Sequence, residues 1–140
     1  MEVLNMKKIF IMSVFFAILI FATTVNAEVK TFLGVSEHYM ENSAETLEQA
    51  KDKAKLAAEL SAMEQAQLNV QSYSEAHNSN LTRDEIITIT AGILKITDVK
   101  YFLKNDSGIC LIRAEVTAEI DTDKISEFIE REMQHRKSRK

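Results

Sequence analysis

Past residue 27 the chain alternates between two kinds of spacing, period-two runs that suit strands and longer periods that suit helices. Val29, Thr31, Leu33 and Val35 alternate with smaller or more polar residues up to about residue 40, as in a strand with one covered face. Gly34 lies inside that run and has no side chain, so the close approach of another backbone is expected there, with a helix as the neighbour. Asn42 and Ser43 break the alternation, and Thr46 with Gln49 forms a capping box opening a helix over residues 47 to about 73. At about 100° per residue, Leu47, Ala50, Ala54, Ala57, Ala58, Ser61, Ala62 and Leu68 share one stripe. Because that stripe is mostly alanine, the helix axis can sit close to a sheet. The opposite side carries Glu45, Glu48, Asp52, Lys53, Lys55, Glu59 and Glu64 in mixed sign and reads as solvated.

Residues 74–80 are polar without period, hence a loop. A second capping box, Thr82-Arg83-Asp84-Glu85, opens a short helix, and Gly92 stands where a left-handed residue would close it. Ile86-Ile87-Thr88-Ile89-Thr90 between them is β-branched and prefers strands, but the signals at both ends decide for helix. Leu94 and Ile96 then alternate with polar residues, and the apolar positions shift by one to Val99, Tyr101 and Leu103, which predicts a bulge near Thr97-Asp98. Asn105-Asp106-Ser107-Gly108 is a hairpin turn. The returning strand has the cleanest pattern in the chain. Cys110, Ile112, Ala114, Val116, Ala118 and Ile120 point inward, and Arg113, Glu115, Thr117 and Glu119 point outward. Asp121 or Thr122 can cap a last helix with Ile125, Phe128, Ile129 and Met133 at helical spacing. The expected fold class is therefore α+β. A three-stranded, largely antiparallel sheet packs on one long helix, with a short helix before the hairpin and a C-terminal helix after it.

Residues 1–27 read as a signal peptide. Lys7 and Lys8 precede an apolar run from Ile9 to Ala22, and Val25-Asn26-Ala27 supplies small residues at the −3 and −1 positions of a cleavage site. The competing reading is an uncleaved anchor, since the apolar stretch approaches the roughly 17 residues that can just span a bilayer. Cleavage near Ala27 would leave a single exported α+β domain, residues 28–135, and a basic tail, residues 136–140, in the periplasm or at the cell surface. Setting aside the leader removes Lys7, Lys8 and Glu2, leaving 15 basic and 20 acidic side chains. So acidic a body argues against nucleic acid as a partner, because phosphate binding needs a concentrated basic surface. One cysteine cannot form an internal disulfide, so packing alone must hold the domain. The tail His135-Arg136-Lys137-Ser138-Arg139-Lys140 suits a helix C-terminus by its charge, and a weak contact with anionic polymer or lipid is the sharper alternative.

Candidate chemistry is sparse. His38, His77 and His135 fall on a strand end, a loop and the tail, with no paired metal-ligand spacing; His38 with Glu41 comes nearest. No serine occupies a G-x-S-x-G elbow, and Cys110 on an inward strand face should be a buried, inert thiol. Glu115 and Glu119 read as exposed cross-strand partners, not as a catalytic pair. No catalytic, cofactor-binding or metal-binding residue is assigned, and no cofactor is expected. Asn80-Leu81-Thr82 and Asn105-Asp106-Ser107 match the glycosylation sequon, a short pattern that arises often by chance.

Taken in order, Gly34 in a first strand, the alanine ladder Ala50, Ala54, Ala57 and Ala58, Asp84-Glu85-Ile86-Ile87 leading to Ala91-Gly92, and a hairpin ending in Arg113-Ala114-Glu115-Val116 form a recognisable series. It resembles the N-terminal domain of flagellar assembly protein T and the related small bacterial surface-lipoprotein domains, over about residues 29–120. The resemblance implies an α+β envelope domain without catalytic residues, with partners in a flagellar ring or on the outer membrane. This chain lacks the lipid-attachment cysteine and the further domains of the flagellar protein. The leading expectation is a non-catalytic envelope protein that acts by binding another protein. The alternatives are a small-ligand carrier with a cleft between helix and sheet and, third, an enzyme.

Overall fold

A computed structural model describes residues 28–40, 44–106 and 108–138. Residues 1–27, on which the signal-peptide expectation falls, the Asn42-Ser43 break, Glu41, Ser107 of the hairpin turn, and Arg139 and Lys140 lie outside the described residues. The elements run β1 (Val29–Tyr39), α1 (Leu47–Ala76), α2 (Arg83–Ile93), β2 (Lys95–Asp106), β3 (Ile109–Asp121) and α3 (Thr122–Ser138). The sheet order is β1-β3-β2 and both pairings are antiparallel. The last strand therefore lies in the middle, and the first two strands form its edges. This is the expected α+β architecture, with a register shift between Ile96 and Asp98 where the bulge is predicted.

Helix α1 starts at the expected capping box, with Thr46 Oγ1 accepting from Gln49 N and Gln49 Oε1 accepting from Thr46 N. It runs thirty residues, three past the predicted end. Its buried positions are Ala50, Ala54, Ala58, Ala62, Ala66, Val70 and Ser74, a strict four-residue spacing. Four residues turn through about 400°, so the buried line drifts about 40° per step and winds round the axis. A straight stripe therefore fails at its ends. Leu47, Ala57 and Leu68 are exposed, and Leu68 lies on the side away from the core, 65% exposed. The far side is not purely charged either, since Leu56 and Leu60 stand on it beside Leu68.

The first strand corrects the expectation most sharply. Its even-numbered residues Phe32, Gly34 and Ser36 face the helix, and Val29, Thr31, Leu33 and Val35 point the other way, exposed. The cause is Gly34. A Cβ there would lie 1.9 Å from the carbonyl oxygen of Ala58 and 2.8 Å from the nitrogen of Ala62, so only glycine fits beneath the helix. That contact sets the parity of the whole strand, and the stronger apolar row goes to the open face.

Two clusters make the core. Ala50, Ala54 and Ala58 cover Ile112, Ala114 and Val116, while Ala66 and Val70 meet Ile89, Ile93, Ile120, Ile125 and Ile129. The inward row of β3 is buried from Ile112 to Ile120, but Cys110 at its start is only half-buried, packed at the margin of the alanine cluster with Met40. Helix α2 extends through Ile93, with Gly92 inside it facing Phe128, so Gly92 does not close it. The closing residue is Leu94, in extended conformation. The β-branched run is helical behind its Thr82–Glu85 capping box, and the hydroxyls of Thr88 and Thr90 donate to the carbonyls of Asp84 and Ile86 four residues back. Gly108, at φ +85°, supplies the left-handed residue the hairpin needs. Helix α3 continues to Ser138, so a tail beginning at residue 136 has no boundary of its own. Ile125 and Ile129 are buried as expected, and Met133 is exposed.

Candidate protein-interaction surface

Paired residues in an antiparallel sheet share a face, so the register maps the side of the sheet that no helix covers. Across it run Leu33, Thr117 and Asp98, then Val35, Glu115 and Lys100, then Glu37, Arg113 and Phe102, then Tyr39, Leu111 and Lys104. The middle strand is polar: Arg113 pairs with Glu115 at 2.8 Å, and Glu119 stands between Thr31 and Lys95. Strand β1 supplies Val29, Leu33, Val35 and Tyr39, each between 38% and 53% exposed, as an apolar column interrupted by Thr31 and Glu37. Leu111 continues it at the hairpin end. These apolar side chains stand in water on one edge, a different environment from the polar strand beside them. The signal for them was present in the sequence as the position of Gly34, which assigns the odd-numbered residues to the open side.

A second exposed row, Leu56, Leu60 and Leu68, lies on the back of α1, two residues out of step with the buried alanines. Beside Leu68, a groove of about 700 Å³ separates α1 from α2. Leu68, Leu81, Ile86 and Ile87 line it, with Glu64, Gln67, Gln71, Glu75 and Arg83 around them. Between α1 and β1 at Gly34, strand and helix backbones are in direct contact.

The titratable groups singled out in the sequence do not converge. His38 Nε2 meets Glu45 Oε1 at 2.9 Å, and Lys53 Nζ donates to the same oxygen at 2.8 Å. The Lys53 hydrogen bond above all, and then His38, hold the Glu45 carboxyl below the usual carboxylate range, against a desolvation second only to the Lys53 bond. This ties the end of β1 to the start of α1. His77 stacks on Tyr73 with ring centroids 4.1 Å apart, and His135 is exposed on α3. Glu85 is both the far half of the α2 capping box and the partner of Arg136 from α3. Arg136, and then the Thr82 backbone N–H, hold its carboxyl below the usual range. Among the described residues, no three or more His, Cys, Asp or Glu side chains gather as metal ligands. Among them also, no helix is long and apolar enough to cross a membrane. Set beside known proteins, the chain matches no family model and no curated relative.

Proposed function

We propose that this chain is a non-catalytic, exported cell-envelope protein that works by binding another envelope or surface protein. The observation that carries the reading is the apolar column on β1 in the open face of the sheet. Apolar surface of that kind, flanked by ordered polar residues, is what a protein partner covers. The leader-like residues 1–27 and the resemblance to the flagellar assembly protein T N-terminal domain and surface-lipoprotein domains support an envelope setting. The C-terminal cations of α3 could add a weak contact with anionic polymer.

Crosslinking in intact cells followed by purification of the envelope tests this directly. The expected result is a defined partner band that disappears for Leu33→Asp, a substitution at an exposed position that should leave the melting temperature unchanged. A protein recovered uncrosslinked, or found in the cytosolic fraction, would count against the proposal. A second reading, a small-ligand carrier, has one observation of its own, the groove between α1 and α2. Stabilisation by an apolar ligand that Leu68→Glu abolishes would favour it.

A further inference from the structure

The two edges of the sheet differ in what could join them. On β1, Gln65 Nε2 occupies the outward carbonyl of Leu33 at 2.8 Å, and α1 lies directly over Gly34. A second copy adding there would bring two such helices above strands about 4.8 Å apart, and helices need 8–10 Å. Strand β2 lies at the margin of that cover. Helix α1 rests on β1 and β3; Val99 and Tyr101 pack partly against its alanine cluster, with Lys51 Nζ 5.8 Å from the centre of the Tyr101 ring, while Leu103 and Ile96 on the same face are 53% and 42% exposed.

The backbone of that edge can be assigned. Thr122 N donates to Glu28 O and Met40 N to Cys110 O, so even-numbered residues of β3 bond towards β1. By alternation its odd-numbered residues bond towards β2, pairing with Asp98, Lys100, Phe102 and Lys104. The N–H and C=O groups of Val99, Tyr101 and Leu103 therefore face outward, unpaired by the sheet.

The sequence along this edge, Asp98-Val99-Lys100-Tyr101-Phe102-Leu103-Lys104, is complementary to itself when reversed about Tyr101. We propose that two copies of this chain join through their β2 edges, antiparallel about Tyr101, into one six-stranded sheet. Tyr101 then faces Tyr101 of the second copy, and Val99 faces Leu103, all on the helix side. On the open side Asp98 faces Lys104 of the second copy, and Lys100 faces the ring of Phe102. The register is specified by charge. Sliding by the smallest step that keeps the backbone parity sets Lys100 against Lys100 in one direction and against Lys104 in the other, and like charges directly opposite are unfavourable. The inference goes beyond the envelope reading and does not depend on it, because it needs only the folded chain and another copy.

Sedimentation of the full purified chain over a concentration series tests it, together with charge exchange at two exposed positions. Asp98→Lys and Lys104→Asp should each raise the dimer dissociation constant by on the order of tenfold, since each places two like pairs across the dyad. The double variant should restore it, and circular-dichroism melting at a concentration where all four proteins are monomeric should be closely similar, because the exposed Lys100–Asp98 pair within the strand contributes little. Tyr101→Cys in a Cys110→Ser background should form an intermolecular disulfide on oxidation, because paired residues of this kind stand about 5.5 Å apart. A chain that stays monomeric at about 1 mM, or a dimer indifferent to both single exchanges, would overturn the proposal. So would pairing only with a strand from a different protein.

Discussion

Between Ala50 and Ala58, helix α1 rests on Ile112, Ala114 and Val116, and its backbone touches Gly34. Between Ala66 and Val70 the same helix is met by five isoleucines from α2, β3 and α3. The first half is a two-layer contact made thin by small residues. The second is a three-helix cluster built from large ones. A thin contact buries little area per residue, at roughly 25 cal/mol per Å², so it depends on closeness and tolerates no added atom. The thick one draws on volume and has room to adjust.

The largest effect should come from a charge in the thin half. Val116 is fully buried beneath the alanines, and an aspartate there would lose its hydration with no partner to replace it. Val116→Asp should abolish cooperative unfolding, a loss above about 4 kcal/mol. Its neighbour Glu115 points to the open face and pairs with Arg113, so Glu115→Lys should cost no more than about 1 kcal/mol. Chemical denaturation separates the two, and equal midpoints would contradict the facing assigned to β3.

Next in size is a pair of glycines, Gly34 in the strand under the thin half and Gly92 in a helix of the thick half. Gly34→Ala drives a methyl into the Ala58 carbonyl, where the obstacle is backbone and cannot swing aside, so a loss of about 3 kcal/mol is expected. Gly92→Ala adds the same methyl inside α2, where it meets only the Phe128 ring at 3.5 Å, an ordinary contact. Helix propensity should then dominate and raise stability by about 0.5–1 kcal/mol. Thermal melting of both variants decides the matter. If Gly34→Ala melts like the parent, the thin half is not as close as the geometry implies.

Much of this architecture could be read from the chain alone, and the parts that could not share a cause. Both capping boxes, the Thr97-Asp98 bulge and the inward row of β3 follow from local spacing, and the structure has all of them. The facing of β1 depends on a contact made across the fold. Its odd-numbered residues are the more apolar, and hydrophobic alternation assigns them inward, but the helix needs Gly34 under it and reverses the choice. The stripe on α1 was misplaced for a related reason. A straight stripe assumes a flat partner, whereas burial here follows the inclined four-residue row from Ala50 to Ser74. The apolar residues of β1 and the leucines Leu56, Leu60 and Leu68 are the residues that spacing alone conceals, and they stand on opposite sides of the molecule, the first forming the candidate interaction surface.

The smallest effect concerns the thick half and sharpens how it is closed at its rim. Glu85 accepts from the Thr82 backbone at 2.7 Å and pairs with Arg136, joining the start of α2 to the end of α3. Its carboxyl is held below the ordinary value of 4.5, so the folded state favours the charged form. The stabilisation is therefore present above that value and is lost as pH falls through the lowered one. Both partners are partly exposed, so Glu85→Gln, which keeps the capping acceptor and removes the charge, should cost less than about 1 kcal/mol at pH 7. The gap to the parent should narrow as the pH falls below 4.5 and close once the parent carboxyl is itself protonated. Urea denaturation of both proteins at pH 7 and through a descending pH series measures it. A gap that persists in acid would mean that Glu85 supports the α2 and α3 junction through shape and hydrogen bonding, with its charge contributing nothing.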